Sequence, residues 1–284
     1  MPVENESEPL SLLVVCAHPH DFTHVAGTCA HHVADGDRVA VVFLTDGGTT
    51  HNELLYDELL KPADQRDPKI MARNHQDYVS QKASEMRAAC ALFGVKDVTI
   101  LPNEDNFIQI TPELVAQLTE IIRERRPDIV ITHHPAFPKK GIVQQPDDHF
   151  ITAEVTHTAI GRAQRVKAGS TQRPHEVAQI FYTGIEMNVE EVDVVIDITD
   201  QLENRHKAEM MFASQGHTEE KSRRKVNVAT TYQGWGYASA GETFVRAKRE
   251  LLHRLPLSPA QRDRARESHL RRARRLFESQ AAPK

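Results

Sequence analysis

The sequence predicts an α/β fold: a Rossmann-like three-layer α/β/α sandwich with a mostly parallel sheet, plus a smaller irregular C-terminal region. Three observations predict it. The runs Leu12–Ala17, Val39–Leu44, Val98–Leu101 and Ile129–Thr132 have the length and apolar character of strands buried on both faces. Segments with helical spacing separate them, so strand and helix alternate through the first half. Polar or turn-rich residues follow the first, second and fourth runs, where the carboxyl ends of parallel strands would form a ligand crevice.

After the first strand, Thr23 to Ala34 reads as a helix that stops at Asp35-Gly36-Asp37. The second strand exits through Thr45-Asp46-Gly47-Gly48-Thr49. Residues 50–75 are polar without clear periodicity and predict a long loop over the ligand edge of the sheet. Gln76–Leu92 has helical spacing, with Tyr78, Met86, Ala89 and Phe93 inward and Gly94 as the stop. Thr111-Pro112-Glu113 supplies an N-cap hydroxyl, a proline at the first helical position and a first-turn acid, opening a helix that Pro127 ends. A further helix starts near His149 and runs through Ala163, and Val177–Thr183 and Val192–Ile198 read as additional strands. Thr199-Asp200 caps a helix through Ser214, whereas residues 215–242 read as a loop near the site or an interface. Ser258-Pro259 opens a last helix carrying Arg262, Arg264, Arg266, Arg271, Arg272, Arg274 and Arg275. The expected organisation is a flexible tail at 1–10, one α/β domain at 11–255 and a basic helical tail at 256–284.

Composition narrows the function classes. With 284 residues, 39% hydrophobic and 26% charged, the chain reads as a soluble globular protein. A net charge of -5 argues against a nucleic-acid partner, so the arginine-rich tail reads as a solvated or subunit-contacting face. No apolar stretch approaches the roughly 20 residues of a membrane helix, and the acidic first ten residues lack a signal-peptide core. Cys16, Cys29 and Cys90 form no disulfide framework, which points to the cytoplasm. Assembly into a homo-oligomer is left open. The 16 histidines are many for this length, and several cluster.

The richest cluster is His18-Pro19-His20-Asp21-Phe22, directly after the first strand. Two imidazoles and a carboxylate there suit a borderline-soft divalent ion such as zinc. Asp147-Asp148-His149, after the fourth strand, is the best partner. His18, Asp21 and His149 would give three protein ligands with an open position for water, although a hydrogen-bonded polar turn explains the same residues.

These segments resemble the PIG-L/LmbE-type N-acetylglucosamine deacetylases, whose hallmark is a strand followed by Ala-His-Pro-Asp-Asp-Glu, with a His-Pro-Asp-His-like motif further on. The matching residues are Ala17-His18-Pro19-His20-Asp21-Phe22 and Gln145-Pro146-Asp147-Asp148-His149. Thr45-Asp46-Gly47-Gly48, Lys82 to Ala89, Asn103-Glu104-Asp105 and Thr132-His133-His134-Pro135 also fit, in order. The resemblance implies a zinc-dependent N-deacetylase, with metal ligands His18, Asp21 and His149 and a small N-acetylated sugar or conjugate as substrate. It also implies a general base between the first two ligands, where this chain has His20 instead of a carboxylate. His20 can act as base or proton shuttle; alternatively it is a further ligand, or base work has moved to Asp148 or Asp147. Phe22 stands where the family has an acid, and Pro146 where it has an oxyanion-stabilising histidine, leaving Gln145, His133 or His134 as substitute donors. His24 reads as a group behind a ligand or as a helix-face residue, and Asp46 as a turn cap or a partner of a ligand histidine. Two rivals remain: a catalytically altered metal- or sugar-binding protein, and a nucleotide-binding Rossmann protein. The second lacks the Gly-x-Gly-x-x-Gly turn that phosphate would need.

Overall fold

The computed structural model describes residues 8–49, 51–106, 108–135, 147–166, 168–169, 171–183, 189–234, 238–259 and 261–267. Seven strands form a sheet of order β3-β2-β1-β4-β5-β7-β6. Strands β1 (Ser11–Cys16), β2 (Arg38–Phe43), β3 (Asp97–Ile100), β4 (Ile129–His133) and β5 (Gln179–Thr183) run parallel. Strand β7 (Gly241–Arg246) runs antiparallel to both β5 and β6 (Val194–Asp197). The central strands β1 and β2 are buried on both faces and carry near-continuous apolar runs, whereas the edge strand β3 (DVTI) is only partly buried. In β1, Leu12, Val14 and Cys16 enter one core with α1 (Ala26–Ala34), α4 (His75–Leu92) and α7 (Leu202–Met211). Leu13 and Val15 enter the other, with α5 (Pro112–Arg125) and α6 (Asp148–Ala163). The three-layer architecture expected from the sequence is therefore present, with a period of two separating its halves.

Two expected loops are helical. Residues 50–75 contain α2 (Glu53–Leu60), a 3-10 turn at Ala63–Gln65 and the short α3 (Pro68–Met71). Asn52 caps α2 by accepting from Leu55 N–H, and Asp67 caps α3 by accepting from Lys69 N–H. Apolar periodicity is faint there because Tyr56, Leu59 and Leu60 are exposed. Residues 215–242 contain α8 (Glu219–Gly234), whose buried stripe is Ser222, Val226 and Thr230, small residues at four-residue spacing that give little hydrophobic signal. They also hold the start of β7, a strand absent from the sequence reading.

The chain divides into two compact units, residues 1–248 and 249–284. In the second, Ser258 Oγ accepts from Gln261 N–H at 3.1 Å, and residues 261–267 are helical. The residues of the expected basic helix beyond 267, and the tail at 1–7, lie outside the described residues.

Strand β7 is tied to α1 by one buried side chain. Glu242 accepts from Gly27 N–H at 2.9 Å, Thr28 N–H at 2.8 Å and Thr28 Oγ1 at 2.6 Å, taking up free donors at the helix start. The approach needs a glycine: a Cβ on Gly27 would lie 2.6 Å from Ile198 Cγ2. Glu242→Ala leaves these buried donors unpaired, so we expect it to lower the unfolding free energy by about 3 kcal/mol in urea titrations, with Glu242→Gln less damaging. An unchanged midpoint for the alanine variant would show that the contact contributes nothing.

Candidate metal centre

At the end of β1 the chain closes into a tight turn. Asp21 N–H donates to His18 O at 3.2 Å, and Thr23 N–H to His20 O at 3.0 Å, leading into a 3-10 turn at Asp21–His24. The Asp21 carboxylate reinforces it by accepting from His18 N–H at 2.7 Å. The exit of β2 presses against this turn. Gly47 sits at φ +68°, and a Cβ there would lie 2.5 Å from Pro19 Cδ, so only glycine fits both demands. Strands β1 and β4 are neighbours in the sheet, and the chain proceeds outward from them in opposite directions. Their carboxyl ends are the switch point where open α/β sheets hold ligands.

Three elements converge on Asp21 there. His18 Nδ1 lies 3.5 Å from Asp21 Oδ2, His133 Nε2 at the end of β4 lies 3.2 Å from the same oxygen, and His149 Nε2 in the first turn of α6 lies 3.4 Å from Oδ1. Burial pushes the Asp21 carboxyl pKa up, but the surrounding His149 and His133 outweigh it and hold the group well below the usual carboxylate range. Burial lowers the pKa of His18, yet its hydrogen bonds to Asp148 and Asp21 prevail and push it up to about 9. His133 stacks on His149 with ring centroids 4.3 Å apart and 14° between planes. Ala17 N–H donates to His133 Nε2 at 3.1 Å, fixing that ring against the strand end.

Asp148 lies behind His18. Its Oδ2 is 3.1 Å from His18 Nε2 and also accepts from Asn106 N–H, while Oδ1 accepts from Ile108 N–H at 3.3 Å. A carboxylate on the far nitrogen is how metal-binding histidines are commonly oriented. The donor atoms of His18, Asp21 and His149 lie within 4.8 Å of one another. Two imidazoles and one buried carboxylate, drawn from two elements, fit a divalent ion of the zinc type.

His20 faces a different group. Its Nε2 lies 2.9 Å from both carboxylate oxygens of Glu209 on α7 and 2.9 Å from Lys225 Nζ on α8. Burial outweighs Glu209 and brings the His20 pKa down to about 4. His24, Phe212 and His217 pack their rings around it at 5.8, 5.3 and 5.4 Å. Burial, with Arg205 nearby, pushes the His24 pKa down to about 3. His24 thus borders the Glu209 group.

The remaining residues singled out in the sequence are scattered. Asp46 accepts from Gly48 N–H at 2.8 Å, capping its own turn. His134 packs on Tyr182 and lies 3.9 Å from Glu191 Oε2. Asp147 caps α6 through Phe150 N–H at 3.0 Å. Phe22 is core, packed edge-on against Phe93. Gln145 lies outside the described residues.

Sequence reasoning missed Glu209 and Lys225, and it noted Lys82 only as the start of a matching segment. A glutamate directly before the apolar Met210-Met211-Phe212 was the available signal, since a buried carboxylate demands a partner. Lys82 is buried beside the centre, donating to Gly47 O at 2.5 Å, and burial pushes its pKa down to about 8. Across Gly48 from the Pro19 turn, a cavity of about 290 Å³ is lined by residues including Asn52, Arg73, His75 and Tyr78.

Comparison with known proteins bears on the fold and the family. The chain is similar to 1D-myo-inositol 2-acetamido-2-deoxy-alpha-D-glucopyranoside deacetylase 2 of Catenulispora acidiphila, with 29% identity over 202 residues, 63% of this chain and 62% of that protein. The match thus spans about three fifths of that relative's length. Among solved structures, N,N'-diacetylchitobiose deacetylase from Pyrococcus horikoshii superposes with a TM-score of 0.69 at 20% identity, covering 86% of each chain. The 4-carboxy-2-hydroxymuconate hydratase GalB from Pseudomonas putida also gives 0.69, at 18% identity, covering 87% of this chain and 100% of that one. At these identities the two structures establish the fold. The family model described as PIG-L: GlcNAc-PI de-N-acetylase matches residues 13–160, from within β1 into α6 and therefore across both halves of the candidate centre, and this chain belongs to that family.

Proposed function

We propose that the chain is a metal-dependent amide hydrolase that releases acetate from a small N-acetylated amino sugar or sugar conjugate in the cytoplasm. The observation that carries this reading is the convergence of His18, Asp21 and His149 at the β1/β4 switch point, in a chain of this family. Zinc is the ion best suited to those donors, and another divalent metal could serve them. When bound, such an ion polarises the acyl carbonyl and makes water acidic enough to attack near neutral pH. The three buried free thiols suit a reducing compartment, and among the described residues no helix is long and apolar enough to cross a membrane.

The chain's own residues divide the remaining work. Asp148, already bonded to two backbone N–H groups and His18, orients that imidazole. His20 accepts the proton of the attacking water and returns it to the leaving amine. Its Nε2 is taken up by Glu209 and Lys225, so transfer runs through Nδ1. The cavity beside Gly48 would take the remainder of the substrate. The Pseudomonas hydratase shares the fold equally well, so the architecture does not select the reaction. Family membership and the inositol-glycoside deacetylase relative favour amide hydrolysis.

Acetate release from N-acetylglucosaminyl glycosides by zinc-loaded protein tests the reading. Metal retention without acetate release would favour the altered metal- or sugar-binding alternative. His18→Ala and Asp21→Ala should each abolish tight metal retention by elemental analysis, and full occupancy in either would remove them from the ligand set. Asp148→Asn should weaken metal affinity roughly 10- to 100-fold. His20→Ala should keep that metal while lowering kcat by about 10²–10⁴; unchanged turnover would move the base elsewhere.

A further inference from the structure

We propose that His20, Glu209 and His217 form a second site for a divalent cation, at which the Lys225 ammonium is the resident, displaceable charge. The donor set repeats that of the first centre: two imidazoles and one carboxylate, with donor atoms within 4.8 Å of one another. The combination is one that zinc proteins use. The group is also buried, with the Glu209 side chain 1% exposed and that of His217 9% exposed. Exposed carboxylates gather near histidines without consequence, but a carboxylate removed from water needs a counter-charge.

The position of Lys225 shows that this pocket draws a cation. Its Nζ lies 2.6 Å from Glu209 Oε1 and 2.9 Å from His20 Nε2. The arrangement is over-subscribed at His20. One nitrogen carries either a proton or a lone pair, so Nε2 can donate to Glu209 or accept from Lys225, but it cannot do both. A metal ion in place of the ammonium removes the conflict, because the Nε2 lone pair and the carboxylate then face the same cation. His217 Nδ1 lies 3.5 Å from Glu209 Oε1 and 2.9 Å from Glu209 O, so a cation held through that nitrogen displaces its hydrogen bond to the backbone carbonyl. Lys225 can leave cheaply: its side chain is 44% exposed, so the ammonium can swing to solvent while α8 stays in place. Arg205 Nη1, 3.8 Å from Glu209 Oε2, remains as a fixed positive neighbour. It weakens the second site relative to the first and makes the two sites load in sequence. Nitrogen-rich donors favour zinc, cobalt or nickel over magnesium or calcium.

The test is zinc binding to chelator-treated full-length protein, followed by calorimetry and by elemental analysis after desalting. Wild type should bind two equivalents per chain, and Glu209→Gln and His217→Ala one each. A single equivalent in wild type, or two retained in both variants, would overturn the site. Lys225→Met changes a half-exposed residue and should fold normally. It should bind the second equivalent about tenfold more tightly, and unchanged affinity would refute displacement of the ammonium. His149→Ala reports on the first centre separately, by losing the tighter equivalent while keeping the weaker.

Discussion

The site depends on the ionised carboxylate of Asp21, buried at the end of β1 and surrounded by imidazoles on separate elements. Removing a charge from water is costly unless partners replace the solvent, and here His18, His133 and His149 do so from the β1 turn, the end of β4 and the start of α6. The same carboxylate closes its own turn through His18 N–H. Local conformation, strand register and the docking of α6 therefore all meet at one residue. A shift of β4 against β1 by one residue would turn His133 to the opposite face and leave Asp21 short of a partner. The geometry of the centre is thus a consequence of sheet pairing as much as of the motif itself.

The second carboxylate, Glu209, has the same relation to His20 from the other side of that turn. It too is buried and surrounded by nitrogen: His20, His217, Lys225 and Arg205. Burial by itself would push its pKa up, but these neighbours outweigh burial and hold it far below the usual range. The segment His18-Pro19-His20-Asp21 thus spans two anionic centres, with alternate histidines committed to different ones.

The sequence made the parallel half of the fold legible because its central strands β1 and β2 are apolar on both faces, and because Thr111-Pro112 marks a helix start unambiguously. It made His18, Asp21 and His149 legible because the strand-end motifs place them on one edge of the sheet. Helices α2 and α8 were not legible, since α2 exposes its leucines and α8 buries serine and threonine, and no hydrophobic period announces either. The partner of His20 was not legible for a related reason. Glu209 lies 189 residues away in sequence, and only the docking of α7 against the β1 turn brings the two together.

The departure from the family's carboxylate at position 20 is best understood through that distant partner. A carboxylate at this place would stand beside the ionised Asp21 and face the buried Glu209, setting three negative groups within one water-poor turn. Like charges at such separations raise one another's pKa, and at least one would take up a proton. A neutral imidazole avoids this: it offers one nitrogen to Glu209 and adds no negative charge to the turn. Around it one carboxylate, Glu209, faces two cations, Lys225 and Arg205, so this group is net positive and opposes the negative charge of Asp21. On the proposed reading, the work of a carboxylate base would pass to an imidazole and to Glu209, the acid that holds it in place.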